Sequence, residues 1–315
     1  MKNKILAILY SGDDARKKIP FTNSIQRECY EQLYALAEKE YQMTIVRVCI
    51  DWFQGKSFRQ FWAYKNKRWQ KITRSIIPDI ILDKSAFAYE TIPVKKEIAT
   101  QYVLVNPWEL ELLVSDKLFL PILFPQYIPY TTHANTSEEL RAALRRVPGK
   151  KVVIKPRIGL GGAGIIIAAK SAIREKQIRF PIIVQEFIDT QKGIPNVYPS
   201  IHDLRMLFTG EKIIGAYIRT PAPGTLLCNM SQQGGARFIS ISEIPKTVFP
   251  IIRSIQKSLS LFPYKVYTAD FFFTNGRPLI VELNAKADFF FPPEFLKNRT
   301  KLYHAYLRYF STLVA

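Results

Sequence analysis

The chain has 315 residues, 48% of them hydrophobic and 13% aromatic. That is enough apolar material for two or three packed units, and it excludes a disordered or fibrous protein. Its 45 Lys and Arg against 26 Asp and Glu leave a net charge of +19, which attracts nucleotides, acidic peptides, nucleic acid or anionic lipid without choosing among them.

The opening MKNKILAILYSG reads as a first buried strand over residues 4–10. Its apolar run is too short for a secretory leader and no small-x-small site follows. Thr22 or Asn23 then caps a helix from Ser24 to Glu40, and Met43 to Cys49 is a second strand. Together they make a β-α-β unit, which favours a parallel sheet. Phe58 to Ile72 alternates aromatic and basic residues around Lys65-Asn66-Lys67. Aromatics that stack on bases beside cations would suit nucleic acid, but a half-buried hairpin with its Trp and Phe turned inward explains the same pattern. Strands follow at Ile80 to Asp83 and Tyr102 to Val105, then a helix from Glu109 to Leu120.

Past Asp116-Lys117 the texture changes. Thr136 or Ser137 caps a helix ending at Arg146. Strands are expected at Lys151 to Lys155, Ile165 to Ala168, Ile182 to Ile188, Leu204 to Phe208, Lys212 to Arg219, Tyr267 to Thr274 and Pro278 to Leu283. Helices are expected over Pro245 to Leu261 and 300–313. No apolar run approaches the roughly 20 residues of a membrane span. Cys29, Cys49 and Cys228 are far apart and have no His at metal spacing, so they read as reduced thiols in a cytoplasmic protein.

Two stretches carry chemistry. The first is KPRIGLGGAG, Lys155 to Gly164. Gly159, Gly161, Gly162 and Gly164 leave a backbone that can fold over phosphates and offer N–H donors. There is no G-K-[ST] ending, and the segment after it is a strand rather than a helix, so it is neither a P-loop nor a dinucleotide fingerprint. A strand, glycine loop and strand make a flap. The second is Asp270 in TADFFF with Glu282 and Asn284 in IVELN, joined by the turn Asn275-Gly276. Glu282 and Asn284 are two apart and share a strand face, and Asp270 on the paired strand can join them. Three oxygen donors suit Mg²⁺ and not zinc, while cross-strand pairing with Lys or Arg is the alternative use of such carboxylates. Between the two stretches, Asp203-Leu204-Arg205 opens one strand and Arg219 ends the next, with Asn229 and Gly234-Gly235 after it. An arginine at a strand end can neutralise a transferring phosphoryl group, or form an ordinary salt bridge.

In this order the sequence resembles the ATP-grasp superfamily. Among its branches it is most similar to glutathione synthetase, the ribosomal-protein glutamate ligase and the spore-coat-associated ATP-grasp proteins of bacilli. Asp116-Lys117, KPRIGLGGAG, QEFI, HDLR, Arg219, Asn229 with Gly234-Gly235, and DFFFTNGRPLIVELN carry the likeness, which is strong from about 100 to 288. The resemblance implies an α/β and α+β protein: a Rossmann-like domain over 1–114, a central lobe with the glycine flap over 115–185, and a C-terminal lobe with the metal site over 186–315. The two lobes would enclose ATP. It implies that Lys117, Lys155, Gly161 and Gly162 hold phosphates, that Gln185, Glu186, Phe187 and Ile188 contact adenine, and that Asp203 meets the ribose or nearby polar groups. Arg219, Asn229 and Arg205 would be catalytic, and Asp270, Glu282 and Asn284 would hold Mg²⁺. The implied reaction joins an amino-acid, peptide or protein carboxylate to an amine through an acyl phosphate. A catalytically reduced ATP-binding scaffold or envelope-associated protein that binds an anionic partner is the alternative, and an oligomer is compatible with either. Three departures fall near the acceptor: Leu227 where relatives carry arginine, AKADFFFPPE after E-x-N, and a longer stretch from Asp189 to His202.

Overall fold

Three β-sheets carry the fold in the computed structural model, which describes residues 3–12, 17–159, 162–228, 234–286 and 288–314. The first sheet grows from the expected β-α-β unit. β1 (Lys4–Tyr10) and β2 (Met43–Cys49) run parallel, Lys4 opposite Met43 and Tyr10 opposite Cys49. Between them α1 (Ser24–Tyr41) is capped by Asn23, whose side chain accepts from the Gln26 N–H at 2.9 Å. A short ribbon of β3 (Phe53–Gln54) and β4 (Ser57–Phe58) leads to the hairpin of β5 (Phe61–Lys65) and β6 (Arg68–Ile72). Asn66 and Lys67 turn it at φ 51° and 57°, the left-handed pair a two-residue hairpin loop needs. Phe61 and Trp62 are buried while Lys65, Lys67, Arg68 and Lys71 face outward, so this stretch spends its aromatics on the core.

β7 (Ile80–Asp83), α2 (Ile92–Ala99) and β8 (Val103–Val105) complete a sheet of order β6-β5-β2-β1-β7-β8, parallel from β2 to β8. The sequence reading missed α2. The single helix expected over Glu109 to Leu120 is instead two, α3 (Trp108–Ser115) and α4 (Phe119–Leu123). Asp116 breaks it: its backbone is extended, and its carboxylate accepts from the Leu118 N–H at 3.1 Å and from the Arg157 guanidinium.

The second sheet has the order β11-β10-β12-β9, all antiparallel, from β9 (Thr131–Ala134), β10 (Lys151–Pro156), β11 (Ile166–Ala169) and β12 (Ile182–Glu186). α5 (Ser137–Arg146), capped by Thr136, lays Leu140 and Ala143 on it. The third, also antiparallel, runs β15-β14-β13-β16-β17: β13 (Asp203–Thr209), β14 (Lys212–Thr220), β15 (Gly235–Ile239), β16 (Val266–Thr274) and β17 (Arg277–Asn284). β9 and β15, both short edge strands, were not expected from the sequence. α6 (Phe249–Ser258) covers one face of this sheet with Ile251, Ile252 and Ile255. α7 (Leu296–Leu313) turns back across the molecule: Leu302, Tyr303, Tyr306 and Phe310 pack with Tyr30, Leu33 and Tyr34 of α1 in one core. Among the described residues no helix is long and apolar enough to cross a membrane.

Candidate functional site

A cavity of about 410 Å³ lies where the three sheets meet. At one end β10 and β12 run side by side. The Lys155 ammonium donates to the Gln185 carbonyl oxygen at 2.9 Å, and the Gln185 amide donates to Thr131 Oγ1 at 2.8 Å. Gln185 thus has both ends of its side chain fixed, and Thr131 is a supporting residue the sequence reading did not identify. Burial lowers the Lys155 ammonium below its ordinary range, against the pull of Glu282 and with help from Lys117. β12 ends at Glu186, so Phe187 and Ile188 leave the strand along the cavity wall, the Phe187 ring 4.3 Å from the Lys151 ammonium.

The glycine stretch joins β10 to β11 as a connection between antiparallel strands. Gly164 sits at φ 73°, and a β-carbon there would lie 2.9 Å from Pro156, so glycine is required on two counts. Gly162 lines the cavity; Gly161 lies outside the described residues. Lys117 ties this connection to the third sheet. Its ammonium donates to the Gly159 carbonyl at 2.7 Å and stands 3.6 Å from Glu282. Next to it the Arg157 guanidinium grips Asp116 through Nε at 2.9 Å to both oxygens. The expected Asp116-Lys117 pair is therefore half tether and half cavity wall.

On the third sheet the ladder gathers the charged residues. Asp203 pairs with Arg219, Arg205 with Asp270, and Asp270 with Glu282. The last pairing depends on a bulge. From the Asn275-Gly276 turn, Thr274 faces Arg277 and Phe271 faces Ile280, a register that would set Asp270 against Val281 and send Glu282 to the other face. One extra residue, Val281, shifts the register so that Asp270 opposes Glu282. Asn284 then follows Glu282 on the same face, opposite Thr268.

Asp270 is fully buried and accepts from Arg205 Nε at 2.8 Å, Arg205 Nη2 at 2.7 Å and Arg219 Nη2 at 2.7 Å. Burial pushes its carboxyl upward, but the two guanidinium groups outweigh that and hold its pKa below the ordinary value. Asp203 is also buried and has Arg219 as its ion-pair partner. Burial and the nearby Asp270 charge, offset only in part by Arg219, push it up to about 7. Among the described residues, one Asp203 oxygen and the Arg219 Nε have no hydrogen-bond partner.

The donor set can be tested against a cation. Glu282 and Asn284 offer hard oxygens to the cavity, and among the described residues the buried Asn284 amide nitrogen has no hydrogen-bond partner. Asp270 already accepts three guanidinium bonds. Among the described residues no three His, Cys, Asp or Glu form a cage. Such a set fits a cation that keeps water and phosphate oxygens in its shell, not one held by protein alone.

The three departures from relatives also reach this cavity. Leu226, Leu227 and Cys228 line it, and burial, reinforced by Asp203, pushes the Cys228 thiol up to about 12. Asn229 lies outside the described residues. Lys286 and Asp288, from AKADFFFPPE, line it as well, together with Lys84 after β7. None of these three was identified as a site residue from sequence, although two lay in a segment that broke the family pattern.

Residues 115–290, more than half of the chain, match the model of the RimK-like ATP-grasp domain. The chain belongs to that family. A probable alpha-L-glutamate ligase of Shewanella pealeana is 28% identical over 179 residues, 54% of this chain and 36% of that protein. The chain spans between about a third and a half of the length of the curated relatives it matches. The ATP-grasp fold extends over the whole chain. The crystal structure of D-cycloserine synthetase DcsG superposes with a TM-score of 0.64 at 13% identity, covering 96% of this chain and 99% of that one. D-alanine–D-alanine ligase from Bacillus anthracis complexed with ATP gives 0.60 at 10% identity, over 99% and 97%.

Proposed function

We propose that the chain is an ATP-dependent ligase that joins a carboxylate to an amine, in the cytoplasm where ATP is supplied. The observation that carries this reading is the convergence of Lys117, Lys155, Gln185 to Ile188 and the Arg219–Asp203–Arg205–Asp270–Glu282 ladder on one cavity. ATP would lie with its base along Gln185 to Ile188 and its phosphates between Lys117, Lys155 and the glycine connection. Glu282 and Asn284, with Asp270 behind them, would hold Mg²⁺, which when bound draws charge from the phosphate oxygens.

A carboxylate oxygen of the acid attacks the γ-phosphorus and ADP leaves, giving an acyl phosphate. The amine then attacks the acyl carbon, inorganic phosphate leaves, and the amine nitrogen gives up a proton. Arg219 and Arg205, held rigidly by Asp203 and Asp270, offset the charge that builds on the transferring group. Because an acyl phosphate is lost to water, folding the glycine connection over the phosphates protects it. Boundaries near 114 and 185 would divide the chain into a Rossmann-like unit, a flap lobe and a metal lobe.

A second reading, a nucleotide-binding scaffold, draws on Leu227, which replaces an arginine of relatives with an apolar wall. Coupled ADP release over a panel of amino acids and peptides separates the two. The ligase reading expects ADP only when acid and amine are both present, with a product weighing their sum less one water. Glu282→Gln should abolish turnover; full activity in that variant removes Glu282 from the metal site. Tight ATP binding with no ADP from any pair favours the scaffold.

A further inference from the structure

The ladder on the third sheet runs one row past Asp270 and Glu282, and that row is neutral. Thr268 stands opposite Asn284 on β17 and opposite Leu207 on β13. Two residues before Asp270 on the same strand, it shares the Asp270 face and lines the cavity. Its side chain is 2% exposed, and among the described residues its hydroxyl has no hydrogen-bond partner. The buried Asn284 amide nitrogen across from it has none among them either. Leu207 is buried and apolar, so β13 offers the hydroxyl no side-chain partner. Directly opposed residues hold their β-carbons about 4.5–5.5 Å apart, close enough for one ligand oxygen to accept from both. Two buried donors left open on one cavity wall call for such an acceptor.

The row is held in place from behind. β17 ends at Asn284, and the buried side chain of Asn106, just after β8, joins the two strands beyond it. The Asn106 amide donates to the Val266 carbonyl at 2.9 Å and to the Ala285 carbonyl at 2.5 Å, and its oxygen accepts from the Val266 N–H at 2.6 Å. The backbones that carry Thr268 and Asn284 are thereby fixed to the first sheet. Lys286, two residues past Asn284, belongs to a brace: Lys95 and Lys286 both pair with Glu111, Lys95 pairs with Asp83 at 2.8 Å, and Lys286 approaches it at 3.7 Å. The neutral row thus lies between the Arg205–Asp270–Glu282 row and the wall that the first sheet supplies.

We propose that the Thr268 hydroxyl and the Asn284 amide N–H form the oxyanion site of the ligation, donating to the acyl oxygen that does not carry the phosphate. This rests on the ligase reading above. One oxygen of the acid bonds to phosphorus, and the other faces these two donors. When the amine adds, the C–N bond forms and the carbonyl electron pair moves onto that oxygen. The pair returns as the C–O bond to phosphate breaks, and the nitrogen gives up a proton. A hydroxyl and an amide carry no net charge, so they grip the acid less than a guanidinium would, and their bonds strengthen only as the oxygen becomes anionic. Asn284 keeps its own oxygen for the cation.

The full chain is assayed with an acid and amine that give ADP in the panel above. Parent, Thr268→Val, Thr268→Ser and Asn284→Asp are compared for kcat, KM of the acid, ATP affinity and Mn²⁺ binding. Thr268→Val, nearly the same shape without the hydroxyl, should lower kcat about 10²-fold while KM of the acid and ATP affinity stay within about twofold. Thr268→Ser should stay within about fivefold of the parent. A packing role predicts the reverse order, because valine keeps the methyl group that serine lacks. Asn284→Asp retains an oxygen for the cation and loses the N–H, so it should bind Mn²⁺ yet turn over at least about tenfold more slowly. The proposal is overturned if Thr268→Val keeps the parent's kcat, if Thr268→Ser falls as far as Thr268→Val, or if Asn284→Asp turns over like the parent. A loss confined to ATP affinity also overturns it and assigns the hydroxyl to the nucleotide. A parent that gives no ADP with any pair removes the ligase reading, and this assignment with it.

Discussion

Two buried ion networks flank the same cavity, and they are built to opposite ends. The brace of Asp83, Lys95, Glu111 and Lys286 balances two charges of each sign, and three of its four side chains are 1% exposed. The ladder of Asp203, Arg205, Arg219 and Asp270 has the same formal balance, yet all four of its side chains line the cavity, where Lys286 alone of the brace does, and it holds one carboxyl shifted to about 7. A closed network resists change because any missing member strands a charge in low dielectric. An open one can exchange a proton or a ligand, as a reacting centre requires.

The largest effect that would test this contrast is in the brace. Glu111→Ala leaves Lys95 and Lys286 to share Asp83, and should cost about 3–5 kcal/mol in denaturant unfolding. The fraction that folds should still bind ATP, and a loss below 1 kcal/mol would mean the brace is not a closed unit. In the ladder, Arg219→Ala should lower ligase turnover about 10²–10³-fold, some 2.7–4 kcal/mol of barrier. Its stability cost should be smaller than that of Glu111→Ala, because Asp203, already raised to about 7, takes a proton readily when Arg219 is gone. A turnover within a few-fold of the parent would remove Arg219 from the reaction.

The pH dependence of stability sharpens the difference further. Asp203 has a folded pKa of about 7, above the ordinary carboxylate value, so the folded chain holds this proton more firmly than the unfolded one. Its contribution is complete below about pH 4 and is lost as pH rises through 7. Asp83 and Asp270 are depressed, so theirs is present above that ordinary value and lost as pH falls toward the depressed pKa. Asp203→Asn should flatten the decline between about pH 4 and 7 while leaving the acid limb in place; an unchanged slope would contradict a protonated Asp203. The smallest effect belongs to a pair outside both networks. Arg141 and Glu175 are bonded at 2.7 Å but are 54% and 35% exposed, so Arg141→Ala should cost about 0.2–1 kcal/mol in the same unfolding assay.

Much of this was legible because local chemistry and global fold agree. The first β-α-β unit, the Lys65 to Lys67 turn, and the pairing of β16 with β17 through Asn275-Gly276 follow from periodicity and turn residues alone. What escaped depends on long-range contacts. Alternation puts Glu282 and Asn284 on one face, but only the Val281 bulge brings Asp270 onto it, and nothing in IVELN announces an extra residue. The break at Asp116 comes from its own capping bond together with Arg157, 41 residues away. Lys286 and Asp288 lie in AKADFFFPPE, the segment that departs from the resembled pattern, but their partners Glu111, Asp83 and Tyr217 lie on three other elements. Lys84 follows a strand that the sequence reading identified, yet no pattern around it signals a cavity wall.

The return of α7 to the first sheet has a consequence for synthesis. One core holds Leu6 and Ile8 of β1 and Tyr30 and Leu33 of α1 together with Phe289, Tyr303, Tyr306 and Phe310. During translation the first sheet therefore leaves the ribosome well before the residues that cover this face. The apolar surface it presents in that interval would be a natural point of contact for chaperones. The first sheet gains its full burial only when the chain's last helix is made.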